Sequence, residues 1–107
     1  MKALITCVVR FISNTYVDIH GVRMLSEIQL KPISKNELIS ISEYMRYHLG
    51  ILNETVHNSV SAIILAKVEP YKIHELHEYL NKLSRRYIIK VKYNIKDSIM
   101  KIYIDYR

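Results

Sequence analysis

Lys90 and Lys92 stand two residues apart, and Lys101 and Tyr103 repeat that spacing further on. Alternate side chains of a β-strand share a face at intervals of about 6.6 Å. Two ammonium groups so spaced match the interval between neighbouring phosphates of a nucleic-acid backbone. A tyrosine among them offers a ring on which an unpaired base can stack. Asn94 extends the row, and Arg85 and Arg86 precede it. Arg85, Arg86, Lys90, Lys92, Lys101 and Tyr103 are therefore the candidate nucleic-acid-binding set, with DNA or RNA as partner. The bland alternative is a solvated sheet face that resists edge aggregation and carries a Lys90–Asp105 cross-strand pair.

Other chemistries find less support. His74-Glu75-Leu76-His77-Glu78 resembles a zinc helix only superficially, because its histidines are three apart and not four. No further Cys/His cluster supplies ligands, so a solvated helix face accounts for the pair better than a metal. His20, His48 and His57 are scattered along the chain. Cys7 alternates with apolar neighbours and reads as a packed thiol. With Tyr44, Arg46 and Tyr47 reading as ordinary surface covering, no catalytic residue, metal ligand or cofactor is assigned.

These residues need strands to hold them. From Tyr87 to Tyr106 apolar and polar residues alternate on both sides of Asp97-Ser98, the pattern of a hairpin with one buried face. A two-residue turn there pairs Tyr93 with Ile102 and Val91 with Ile104, and sets Lys92 opposite Tyr103 and Lys90 opposite Asp105. Lys2 to Ile12 reads as a strand buried on both sides. Thr15–His20 and Val22–Lys31 form a second hairpin around His20-Gly21, pairing Val17 with Met24. Ser34 and Glu37 make a capping box for a helix whose stripe is Leu38, Ile41, Met45, His48 and Leu49, with Leu52 extending it. Gly50 ends that helix. Asn53–Ser59 is a polar connection, and Val60–Val68 is another strand. Pro70 opens a second helix with the stripe Ile73, Leu76, Leu80 and Leu83.

The expected order is β-β-β-α-β-α-β-β. It describes an α+β domain over residues 1–107, with a mixed or antiparallel sheet of about six strands and two helices on one face. Six strands span roughly 29 Å, whereas two helices cover roughly 20 Å. Leu4, Val8, Leu25, Ile63, Leu65, Ile88 and Ile99 thus lack a place in one core, and a homodimer is the simplest way to cover them.

Composition narrows the function classes. The chain has 107 residues, half of them apolar, and two glycines, too few for a phosphate-cradling loop or a dinucleotide fingerprint. Its single cysteine excludes an internal disulfide and suits a reducing, cytoplasmic setting. Ala3–Val9 is too short to span a bilayer, so no membrane partner is expected. Charge is uneven: residues 1–58 hold six Lys/Arg against five Asp/Glu, a net of +1, while residues 59–107 hold ten against five, a net of +5. Richness in Ile, Lys and Tyr gives a compositional resemblance to small basic proteins of heat-loving microbes and their viruses, though AT-rich coding produces the same bias. The leading expectation is a non-enzymatic nucleic-acid-binding protein. The alternative is a homodimeric structural or protein–protein interaction module, and a small metal- or His-dependent nuclease comes third.

Overall fold

The computed structural model describes residues 15–18, 23–25 and 31–107. The C-terminal alternation produces β5 (Tyr87–Asn94) and β6 (Ile99–Tyr106), an antiparallel hairpin. Further strands are β3 (Asn53–His57) and β4 (Ala62–Lys67), with β4 paired to β6 and β3 to β4. These four strands run β5-β6-β4-β3, and all their pairings are antiparallel. Two short segments, β1 (Thr15–Asp18) and β2 (Arg23–Leu25), follow on beyond β5.

Two helices cover one face. In α1 (Lys35–Tyr47) the Ser34 hydroxyl accepts from the Glu37 amide at 3.2 Å and the Glu37 carboxylate returns to Ser34, completing the capping box. Leu38, Ile41 and Met45 recur at helical spacing and are buried. His48 and Leu52 are exposed instead, because the helix stops at Tyr47 and Gly50 turns the chain at φ +68°. A β-branched or bulky residue would be strained there. Pro70 heads a 3-10 turn that leads into α2 (Ile73–Leu83), whose buried stripe is Ile73, Leu76, Leu80 and Leu83. Tyr44 of α1 stacks on Tyr79 of α2 with ring centroids 4.3 Å apart, so the helices lie side by side. Beneath them Ile64, Ala66, Ile89, Val91, Met100, Ile102 and Ile104 form the sheet side of one core. Tyr93 joins it with its hydroxyl donating to the Val68 carbonyl at 2.8 Å.

The class is α+β, but the strand set differs from expectation. The sheet beneath the helices has four strands and not about six. One of them, β3, occupies part of the stretch expected as a polar connection. It is an edge strand with four exposed residues, so it lacks the apolar alternation that marks a half-buried strand. The expected strand Lys2–Ile12, with Cys7, lies outside the described residues, as does the turn at His20-Gly21.

Both hairpin registers also shift. Val17 pairs with Arg23 and not Met24, leaving the five residues 18–22 between them, an odd number that a two-residue turn cannot give. In the C-terminal hairpin Tyr93 pairs with Met100, Val91 with Ile102, Lys92 with Lys101 and Lys90 with Tyr103. The turn is a four-residue loop, Ile95–Ser98. The Asn94 side chain sets it, accepting from the Asp97 amide at 3.3 Å and donating to the Asp97 carboxylate at 3.0 Å. Ser98 closes it at φ 56°. The slip is by two residues, an even number, so every side chain keeps its expected face.

Candidate functional site

Side chains on the odd positions of β5 turn to the helices, so the even positions 88, 90, 92 and 94 turn away from them. On β6 the opposite parity holds, and Ile99, Lys101, Tyr103 and Asp105 share that outer face with Ile63 and Leu65 of β4. The register sets these residues in rows across the sheet. One row runs Lys92, Lys101, Leu65, Glu54, and the next runs Lys90, Tyr103, Ile63, Val56.

The six candidate residues therefore divide. Lys90, Lys92, Lys101 and Tyr103 form one cluster on the outer face. Lys90 Nζ lies 5.5 Å and Lys101 Nζ 5.9 Å from the centroid of the Tyr103 ring. Lys92 is exposed and sits directly across from Lys101, which is half-buried, as is Tyr103. Lys90 departs from the expected solvent-facing position. Its side chain is only 13% exposed, and Nζ stands 3.5 Å from the Asp105 carboxylate. The contact is diagonal, since Asp105 pairs in register with Ile88. Burial raises the Asp105 pKa, and the Lys90 ammonium acts against that rise.

Arg85 and Arg86 lie elsewhere, in the turn that follows α2. The Arg85 and Arg86 amides donate to the Lys82 and Leu83 carbonyls. The Arg86 guanidinium carbon is 5.5 Å from the centroid of Tyr87, whose hydroxyl donates to Glu37 of α1 at 2.8 Å. Arg86 thus belongs to the helical side of the sheet. The strand rise puts Lys92 roughly 16 Å further along β5 than Tyr87.

Sequence reasoning missed a groove on the other half of the outer face, about 480 Å³ in volume and lined mainly by Leu52, Glu54, Leu65, Lys67 and Ile99, with Arg46 of α1 at its rim. Leu52 is 70% exposed, Val56 41% and Ile99 37%. The only sequence signal for it was the set of outer-face apolar residues, Ile63, Leu65 and Ile99, that no core could absorb.

Three of the described histidines have different neighbours. His48 stacks on Tyr44, His57 Nε2 is 2.8 Å from the Ile33 carbonyl, and His74 contacts Glu78 at 3.8 Å. His20 lies outside the described residues. Among the described residues no three His, Cys, Asp or Glu side chains are grouped to hold a metal ion. Nor is any described helix long and apolar enough to cross a membrane. Burial against Tyr44 pushes the Tyr79 phenol up to about 12, which keeps it neutral and leaves it a packing group.

What the geometry defines is an antiparallel sheet with helices on one face and a mixed basic and apolar surface on the other. No protein-family model, curated protein or solved structure matches the chain.

Proposed function

We propose that this is a non-enzymatic, cytoplasmic protein that binds single-stranded nucleic acid, DNA or RNA, through the outer face of the β5–β6 hairpin. The observation that carries this reading is the placement of Lys92 directly across from Lys101, beside a tyrosine with two ammonium groups within 6 Å of its ring centre. Two lysines directly opposite each other on a sheet face concentrate positive charge where a backbone phosphate can bind. Aromatic rings stack splayed bases, and lysines beside such a ring stand where the flanking phosphates run. Lys92 and Lys101 take the phosphates in this reading, while Lys90 orients the ring from its pairing with Asp105. Arg85 and Arg86 extend the positive field without sharing the face.

The test is anisotropy of labelled single-stranded and duplex oligonucleotides. Lys92→Gln with Lys101→Gln is expected to weaken binding at least tenfold, and Tyr103→Ala to weaken single-stranded binding more than duplex binding. A helix-side pair, Lys35→Gln with Lys82→Gln, removes the same charge elsewhere. Equal losses in the two double variants would reduce the interaction to general attraction toward a basic chain.

A second reading, a homodimeric interaction module, is favoured by β3, which ends the sheet and leaves Leu52 and Val56 exposed beside its edge. Light scattering at tens of micromolar separates the two, because a monomer there removes the dimer.

A further inference from the structure

The groove beside Lys101 has a size, a floor and a charge pattern of its own. Its volume of about 480 Å³ falls in the range of small-molecule sites. Leu52, Leu65 and Ile99 make an apolar floor. Two cations stand over it, and each is anchored by a neutral group. Arg46 donates to the Asn53 carbonyl at 2.7 Å and Lys67 to the Asp97 carbonyl at 3.0 Å. Neither bond cancels their charge. Among the lining residues one acid is present, Glu54, and it is exposed.

An apolar floor with cations above it suits a flat ring that carries phosphate. A carboxylate in the same groove is wrong for the phosphate and right for the ring edge, provided that edge donates. Ionised carboxylates only accept hydrogen bonds, and two oxygens accept two parallel N–H groups at once. Among the bases, guanine presents such a pair on its Watson–Crick edge, the ring N–H and the adjacent amino group. Thymine and uracil present one N–H between two carbonyls, which repel a carboxylate.

Position links the groove to the tyrosine. Lys101, Leu65 and Glu54 lie in one register row, and Tyr103 is two residues along β6 from Lys101. The tyrosine and the groove floor are thus roughly 8 Å apart, one strand across and one side-chain row along. A second copy of the chain fits this place poorly. Three strands and two side-chain rows offer roughly 200 Å² of footprint, whereas a stable interface buries about 800 Å² per partner.

We propose that the groove formed by Arg46, Leu52, Glu54, Leu65, Lys67 and Ile99 is a second base subsite with a preference for guanine. It rests on the reading of Tyr103 as a stacking platform, and a strand lying on Tyr103 drops its neighbouring base there. Glu54 accepts from the guanine edge, and Arg46 and Lys67 hold the phosphate.

Anisotropy with two labelled 12-nucleotide single strands tests this, in DNA and RNA forms. One is all thymine or uracil, and the other carries guanine at alternate positions. The full chain is expected to bind the guanine-containing strand at least tenfold more tightly. Glu54→Ala should bring the two strands within twofold of each other. Leu52→Ser, a change at an exposed position, should weaken the guanine-containing strand about fivefold or more. Equal binding of both strands by the unaltered chain overturns the subsite, as does a guanine preference that survives Glu54→Ala. Either result leaves the platform standing if Tyr103→Ala still costs affinity. Failure to bind either strand overturns both. A change of oligomeric state in Leu52→Ser with no change in base preference would give the groove to a second copy.

Discussion

Glu37 joins three parts of the chain. Its carboxylate accepts from the Ser34 hydroxyl at 2.8 Å, from the Tyr87 phenol at 2.8 Å and from the Tyr106 phenol. The Tyr106 bond, then those of Tyr87 and Ser34, hold its pKa down at about 2, against an ordinary 4.5. Tyr87 moves the other way, raised first by burial and then by the anion it serves. A carboxylate whose folded pKa lies below its unfolded one stabilises the fold above the unfolded value and loses that contribution as pH falls toward the folded one. Asp105 has the opposite sign, because burial favours its neutral form and its contribution is lost as pH rises through its raised pKa. The melting temperature is therefore expected to fall between pH 5 and pH 2.5, and to fall less in Glu37→Gln. Parallel curves for the two proteins would show that Glu37 contributes nothing acid-sensitive. At this scale the sequence was half legible. Ser34 and Glu37 declare the capping box through their spacing, but the two phenols arrive from 50 and 69 residues away, beyond any local pattern. The same limit hid the burial of Lys90. Alternation placed it on the outer face opposite Asp105, but the ion pair forms on a diagonal in the shifted register and leaves the lysine side chain only 13% exposed.

Elements were legible where burial imposes a period. The stripes of α1 and α2 and the alternation of β4, β5 and β6 all follow from one apolar face meeting one core. Register was not, because it depends on turn chemistry. The side chain of Asn94 lengthens the loop to four residues, and nothing in the apolar pattern distinguishes that loop from a two-residue turn. Because the slip is even, the faces survive it, and a substitution test of the faces does not depend on the register. Ile102 is fully buried, and its neighbour Lys101 is half-buried on the outer face. Ile102→Asp places an unpaired charge in the core and is expected to cost at least about 3 kcal/mol in denaturant unfolding. Lys101→Asp is expected to cost less than about 1 kcal/mol, since its side chain lies half-exposed on the outer face and not in the core. Equal shifts of the two midpoints would mean that the helices do not cover the face assigned to them. The strand β3 escaped sequence reading for the converse reason. Its side chains meet solvent at four of five positions, and buried Asn53 is held by hydrogen bonds to the Ser42 and Ile51 carbonyls and not by apolar contact.

At the scale of the whole molecule, a net charge of +6 draws any polyanion toward the chain, so attraction alone distinguishes nothing. Placement does. The outer face carries Lys92 and Lys101 at one side and Lys67 at the other, where Arg46 reaches the groove from the last turn of α1, whereas Lys35 and Lys82 sit elsewhere on the helices. A single strand laid across the outer face meets the first four and not the last two. Each phosphate neutralised on a single strand contributes about −0.7 to the slope of log affinity against log salt, so four contacts give roughly −2.8. Lys92→Gln with Lys101→Gln is expected to reduce the slope to roughly −1.4, because two contacts remain. Lys35→Gln with Lys82→Gln lowers the net charge by the same amount and is expected to leave the slope near −2.8 while weakening binding slightly at low salt. Titrations across several salt concentrations on a 12-nucleotide single strand measure all three slopes. If both variants flatten the slope equally, the bound strand wanders over the whole basic surface, and the rows of the outer face have no special claim on it.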